Sequence, residues 1–114
     1  MPLKFITLHA RDIEETATIY RLLGLRFVEE RHGTGPLHLA TETAGLALEI
    51  YPSEAVARDG LLLGFEVDDL RDCRDRLAAA GVTIASDIAE RHGLLRFIAQ
   101  DADGRRVLVS QKAG

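Results

Sequence analysis

Thiols are almost missing from this chain. Cys73 is the only cysteine, which excludes an internal disulfide and any zinc cluster built on thiolates. It falls in an apolar rhythm with Leu70, Leu77 and Ala80, so core filler is its expected role. No apolar run approaches the ~18 residues of a membrane-spanning helix. No charged segment followed by an apolar one opens the chain, and a cytoplasmic location is the expectation. Lysine and arginine form no cluster and the net charge is −4, which argues against nucleic acid or an anionic membrane as partner. Ser-His-Asp spacing, a phosphate-cradling glycine loop and a Cys-His nucleophile are absent as well.

What is present is a repeat. Asp12-Ile13 opens a helical pattern that ends at Leu22-Leu23-Gly24-Leu25, and Asp69-Leu70 opens another that ends at Ala79-Ala80-Gly81-Val82. Asp12 and Asp69 lie 57 residues apart, as do Gly24 and Gly81, in a chain of 114. Such self-similarity predicts tandem copies of one supersecondary unit. Half of this chain is marginal for independent burial. The halves are therefore expected to share a core, or to be completed by a second chain. A second echo, Glu30-Arg31-His32-Gly33 and Glu90-Arg91-His92-Gly93, has an offset of 60.

Local signals give each copy the same order. Strands are expected at 3–9, 25–30, 37–41 and 46–51 in the first, and at 61–67, 82–85, 94–100 and 105–110 in the second. Asp12 is a good N-cap with Glu15 three residues on, and Asp68 or Asp69 caps the second helix. Gly24 and Gly81 suit the left-handed position that ends a helix. Asp101-Ala102-Asp103-Gly104 reads as a tight turn. The expected fold is α+β: two βαβββ modules, 1–52 and 61–114, joined by a polar linker over 53–60, forming a curved mixed sheet around a cavity with helices on the outer face.

Two segments carry a family resemblance. Asp12-Ile13-Glu14-Glu15, through Tyr20 to Leu23-Gly24-Leu25, and Asp101-Ala102-Asp103-Gly104-Arg105 resemble motifs of the vicinal oxygen chelate superfamily. That group includes glyoxalase I, bleomycin-resistance proteins, fosfomycin-resistance enzymes and extradiol dioxygenases. Ala102 and Arg105 depart from its Asp-Pro-Asp-Gly-Asn turn, and Leu48-Glu49-Ile50-Tyr51-Pro52 also resembles small glyoxalase-like proteins. In metal-dependent members the resemblance implies four ligand positions. One lies seven residues before each helix-capping Asp and one on the last strand of each module. Here they carry Phe5, Leu62, Glu49 and Leu108. A metal there needs imidazole nitrogen or carboxylate oxygen, and only Glu49 supplies one. A metal cofactor is therefore not expected at these positions.

Strand alternation assigns the faces. Phe5, Thr7, His9, Ala47, Glu49 and Tyr51 are expected on the concave side of the first module, with His38 opposite Leu37 and Leu39. Leu62, Glu66, Arg96, Ile98 and Leu108 take that side in the second. A mostly apolar surface with a few polar anchors suits a small molecule. The expected ligand-binding set is Phe5, Thr7, His9, His38, Glu49, Tyr51, Leu62, Arg96 and Leu108. Glu49 and His38 are the catalytic candidates, as cross-strand neighbours if the hairpin turns near Ala44. Glu49 is equally an ordinary solvated carboxylate, and a structural Glu49–His38 pair is commoner than a catalytic one. The repeated Glu-Arg-His-Gly reads as a duplication relic or a solvated turn, or else as paired rims (Arg31, His32, Arg91, His92) gripping an anion.

The favoured expectation is a metal-free, homodimeric binding protein for a small, partly apolar organic molecule; the acidic balance suits a cationic one. The first alternative is a metal-dependent lyase, isomerase or dioxygenase with its ion shifted towards Glu49, using His9, His38, Glu49 and Glu66. The second is a scaffold with a vestigial cavity.

Overall fold

Capping fixes the helix ends. In the computed structural model, described over residues 1–112, Asp12 is extended and its carboxylate accepts the Glu15 N–H at 3.1 Å. Asp69, rather than Asp68, does the same for the Asp72 N–H at 3.0 Å. These bonds satisfy amide donors that the first helical turn leaves without an intrahelical partner. At the other ends Gly24 and Gly81 take φ of +108° and +84°. Leu25 then donates to Tyr20 O, and Val82 to Leu77 O. Both helices thus close in a six-to-one motif that needs a left-handed residue, which glycine adopts without strain. Helix α1 spans Ile13–Leu22 and α2 spans Leu70–Ala79.

The chain divides into two units, Met1–Ala57 and Arg58 onward; residues 113 and 114, the end of the expected second module, lie outside the described residues. Unit 1 is β1 (Phe5–Ala10), α1, β2 (Val28–Glu30), β3 (His38–Thr43) and β4 (Leu46–Pro52). Its sheet order is β1-β4-β3-β2, with β1 parallel to β4 and the other pairs antiparallel. Unit 2 is β5 (Leu62–Val67), α2, β6 (Thr83–Arg91), β7 (Leu94–Gln100) and β8 (Arg106–Gln111), in the order β5-β8-β7-β6. Each unit is βαβββ and the fold is α+β.

One face of each sheet is closed by its helix. In unit 1, α1 packs on β1 and β4 and buries Ala17, Ile19 and Tyr20 with Leu8, Leu39, Leu48 and Ile50. In unit 2, α2 brings Leu70, Cys73 and Leu77 to a sheet whose Phe97, Ala99, Val107 and Val109 are buried. Burial pushes the Cys73 thiol up from its ordinary value, the nearby Arg76 charge partly opposing, so it is an inert core thiol.

Only β7 matches its expected span at both ends; β1, β3, β4 and β5 shift by one or two residues, and three other boundaries differ for a visible local reason. The strand expected at 25–30 begins only at Val28, because the Leu25 N–H is spent on the α1 cap. The short strand expected at 82–85 runs to Arg91. It continues through register shifts at Ile84/Ser86 and Ser86/Ala89, beside Asp87, which takes two bonds from Arg74 of α2 at 3.0 and 2.8 Å. Bulges absorb extra residues without ending a ladder. The strand expected from Arg105 begins at Arg106, because Arg105 belongs to the preceding turn.

That turn is a buried charge network. Asp101 Oδ1 accepts from the backbone N–H of Asp103 and Arg105, each at 3.0 Å. Arg105 Nη1 donates to Asp101 Oδ2 at 2.7 Å and lies 3.8 Å from Asp103 Oδ2. Arg105 is only 1% exposed.

Candidate functional site

The sheet face of unit 1 turned away from α1 carries a band of polar side chains. Parallel pairing sets His9 beside Tyr51, and antiparallel pairing sets Glu30 beside His38. The Tyr51 and His38 rings stack at 4.0 Å between centroids with 11° between planes. One row therefore crosses the sheet as His9, Tyr51, His38, Glu30. The next row is Thr7, Glu49, Ala40 and Val28. Thr7 Oγ1 donates to Glu49 Oε1 at 3.2 Å. Phe5 and Ala47 begin a third. Phe5 is 60% exposed although it lies within a strand.

His38 is the centre of this surface and only 1% exposed. Its Nδ1 lies 3.2 Å from Pro36 O. A carbonyl only accepts, so Nδ1 carries the proton. Nε2 is then directed at carboxylates: Glu30 Oε1 at 3.3 Å and Glu49 Oε2 at 4.0 Å. The His32 ring approaches His38 to 5.1 Å between centroids, and its Nε2 is 3.7 Å from Glu30 Oε1. The Tyr51 phenol is pushed above its ordinary value, first by burial and then by the negative charges of Glu49 and Glu30.

The sign of that shift is testable. A phenol whose folded value is raised contributes stability below the ordinary tyrosine range and loses it as pH rises through the raised value. An ultraviolet difference titration of the parent against Tyr51→Phe should show the Tyr51 step later than that of a free tyrosine. Glu49→Gln should bring that Tyr51 step earlier.

Six of the expected site residues, Phe5, Thr7, His9, His38, Glu49 and Tyr51, share this face. Glu49 stands directly across from Ala40 rather than His38, which it meets on the diagonal. Leu62, Arg96 and Leu108 share one face of unit 2's own sheet: Leu62 pairs with Arg106, and Leu108 with Gly64 and Ile98. Arg96 lines a small hollow there with Arg91 and Arg106.

Glu30 was not among the expected site residues, and His32 was expected only as a rim residue for an anion, not beside His38. Both belong to the string repeated at 90–93, yet the two strings occupy different local settings. Glu30 ends β2 beside His38, whereas Glu90 pairs with Leu95, and His92 sits at the β6–β7 hairpin tip with φ of +51°. The signal that could have found Glu30 was its place on a strand antiparallel to the one holding His38.

Comparison with known proteins settles the family. Residues 3–109 match the sequence model of the Glyoxalase/Bleomycin resistance protein/Dioxygenase superfamily. The chain belongs to that superfamily. No curated protein matches it. Among solved structures it resembles a hypothetical protein from S. aureus (15% identity, TM-score 0.79, covering 98% of this chain and 97% of that one). It also resembles an integron cassette protein from the mobile metagenome of V. cholerae (24%, 0.74, 99% and 96%). A third is a glyoxalase-related enzyme from Fulvimarina pelagi (22%, 0.78, 98% and 88%). At these identities the likeness speaks for the fold.

The superfamily's metal-dependent members imply an ion at the positions held here by Phe5, Glu49, Leu62 and Leu108. These residues do not fit one. Phe5 and Leu62 present exposed hydrocarbon, 60% and 54% of each residue, and Leu108 adds no donor atom. Glu49 alone would have to hold the ion against water.

Among the described residues no helix is long and apolar enough to cross a membrane.

Proposed function

We propose that this superfamily member binds a small, partly apolar organic molecule on the open sheet face of unit 1, with no ion at the superfamily's four metal positions. The observation that carries the reading is Phe5. An exposed phenyl ring stands where a metal ligand would, on the face that holds Thr7, Glu49 and Tyr51. A ring beside a few fixed polar groups is the composition of a small-molecule site. Phe5 supplies contact area, Glu49 accepts a hydrogen bond or pairs with a cation, and Tyr51 and His9 offer further polar atoms. Glu30 and Glu49 on the same face favour an aromatic amine over an aromatic acid.

Thermal shift with aromatic amines and aromatic carboxylates, in the presence of a chelator, tests this. An amine near 100 times its Kd should stabilise the protein by about 2.7 kcal/mol, a rise of several degrees in Tm. No shift from any amine, or shifts only after adding metal, would overturn it. A homodimer belongs to the same reading; light scattering at twice the chain mass would agree, and a monomer would remove that part.

A further inference from the structure

We propose that Glu30, His32 and His38 form a divalent transition-metal site outside the superfamily's four metal positions. It goes beyond organic-ligand binding and stands without it. One donor atom from each of the three residues lies within 4.8 Å of the others. An ion with bonds of ~2.1 Å in tetrahedral geometry holds its donors about 3.4 Å apart. The separations from Glu30 Oε1 bracket that value: 3.3 Å to His38 Nε2 and 3.7 Å to His32 Nε2.

The support around His38 is what a ligating imidazole needs. Its Nδ1–H is fixed on Pro36 O, so Nε2 is the nitrogen turned to the cluster, where an ion would displace the proton shared with Glu30. Stacking on Tyr51 fixes the ring plane. Two imidazole nitrogens and one carboxylate suit Zn(II), Co(II), Ni(II) or Fe(II) better than Mg(II) or Ca(II), which prefer all-oxygen shells. Three protein donors leave at least one coordination position open. Glu49 Oε2, 4.0 Å from His38 Nε2, is in reach of a water held there. His32 is exposed, so an ion has an entry path.

The rival is an ion pair in which Glu30 holds one or two protonated imidazoles with no metal affinity. The two differ in what they retain. The full chain, stripped with chelator and then desalted, is titrated with Zn(II) by calorimetry and with Co(II) by visible absorption. The site predicts about one ion per chain and Co(II) ligand-field bands typical of nitrogen and oxygen donors. His32→Ala and Glu30→Gln should each weaken binding at least tenfold. Glu29→Gln removes the same charge from the opposite face of β2 and should leave binding unchanged. Absence of Zn(II) and Co(II) binding would overturn the proposal, as would His32→Ala binding like the parent or Glu29→Gln weakening binding as much as Glu30→Gln. Organic-ligand binding is read in chelator, so its failure and the failure of this site are separate results.

Discussion

Replacing Arg105 by alanine should destabilise the fold by about 3–5 kcal/mol, the range for removing one partner of a buried ion pair. Arg105 and Asp101 are both fully buried, 2.7 Å apart, and Asp103 lies close to the same guanidinium. Truncation deprives two buried carboxylates of their nearby cation, and the burial cost then falls on the folded state alone. A small domain has only about 5–15 kcal/mol to lose. The companion double variant, Asp101→Asn with Arg105→Met, should lose less than Arg105→Ala. Asparagine keeps the oxygen that accepts from the Asp103 and Arg105 N–H groups, and no charge is left buried at 101. Urea unfolding of the two variants checks this; equal losses would mean that packing, not charge, dominates at Arg105.

Phe5→Ala should weaken binding of an aromatic amine by about 10- to 150-fold, because burying a phenyl side chain is worth about 1.5–3 kcal/mol. The same change should leave the fold within about 0.5 kcal/mol, since an exposed ring contributes little to the core. Affinity and stability therefore separate at this residue, which is the signature of a contact residue. Titration calorimetry beside thermal unfolding gives both numbers. Unchanged affinity would remove Phe5 from the site and with it the observation on which the ligand-binding reading rests.

Local chemistry made much of the fold legible. The two Asp caps and the two glycines after the helices act within a single turn, so their sequence signature is complete. Face assignment followed from alternation: Leu8, Leu48 and Ile50 are buried while Phe5, Thr7 and His9 are exposed. Non-local pairing was less legible. The β6 strand is longer than its own residues suggest because β7 offers it partners on both sides of its bulges. The His38–Glu30–His32 cluster depends on how residues 31–37 fold back, and no residue pattern in that stretch specifies where the His32 ring lies. The diagonal placement of Glu49 against His38 depends on β3–β4 register, which a one-residue slip would change.

The most direct test of ligand binding on unit 1 is amide chemical-shift mapping while an aromatic amine is titrated into the protein in chelator. The account predicts saturable shifts centred on residues 5–9, 38–40 and 47–51. Shifts centred elsewhere, or none until a divalent ion is added, would contradict it.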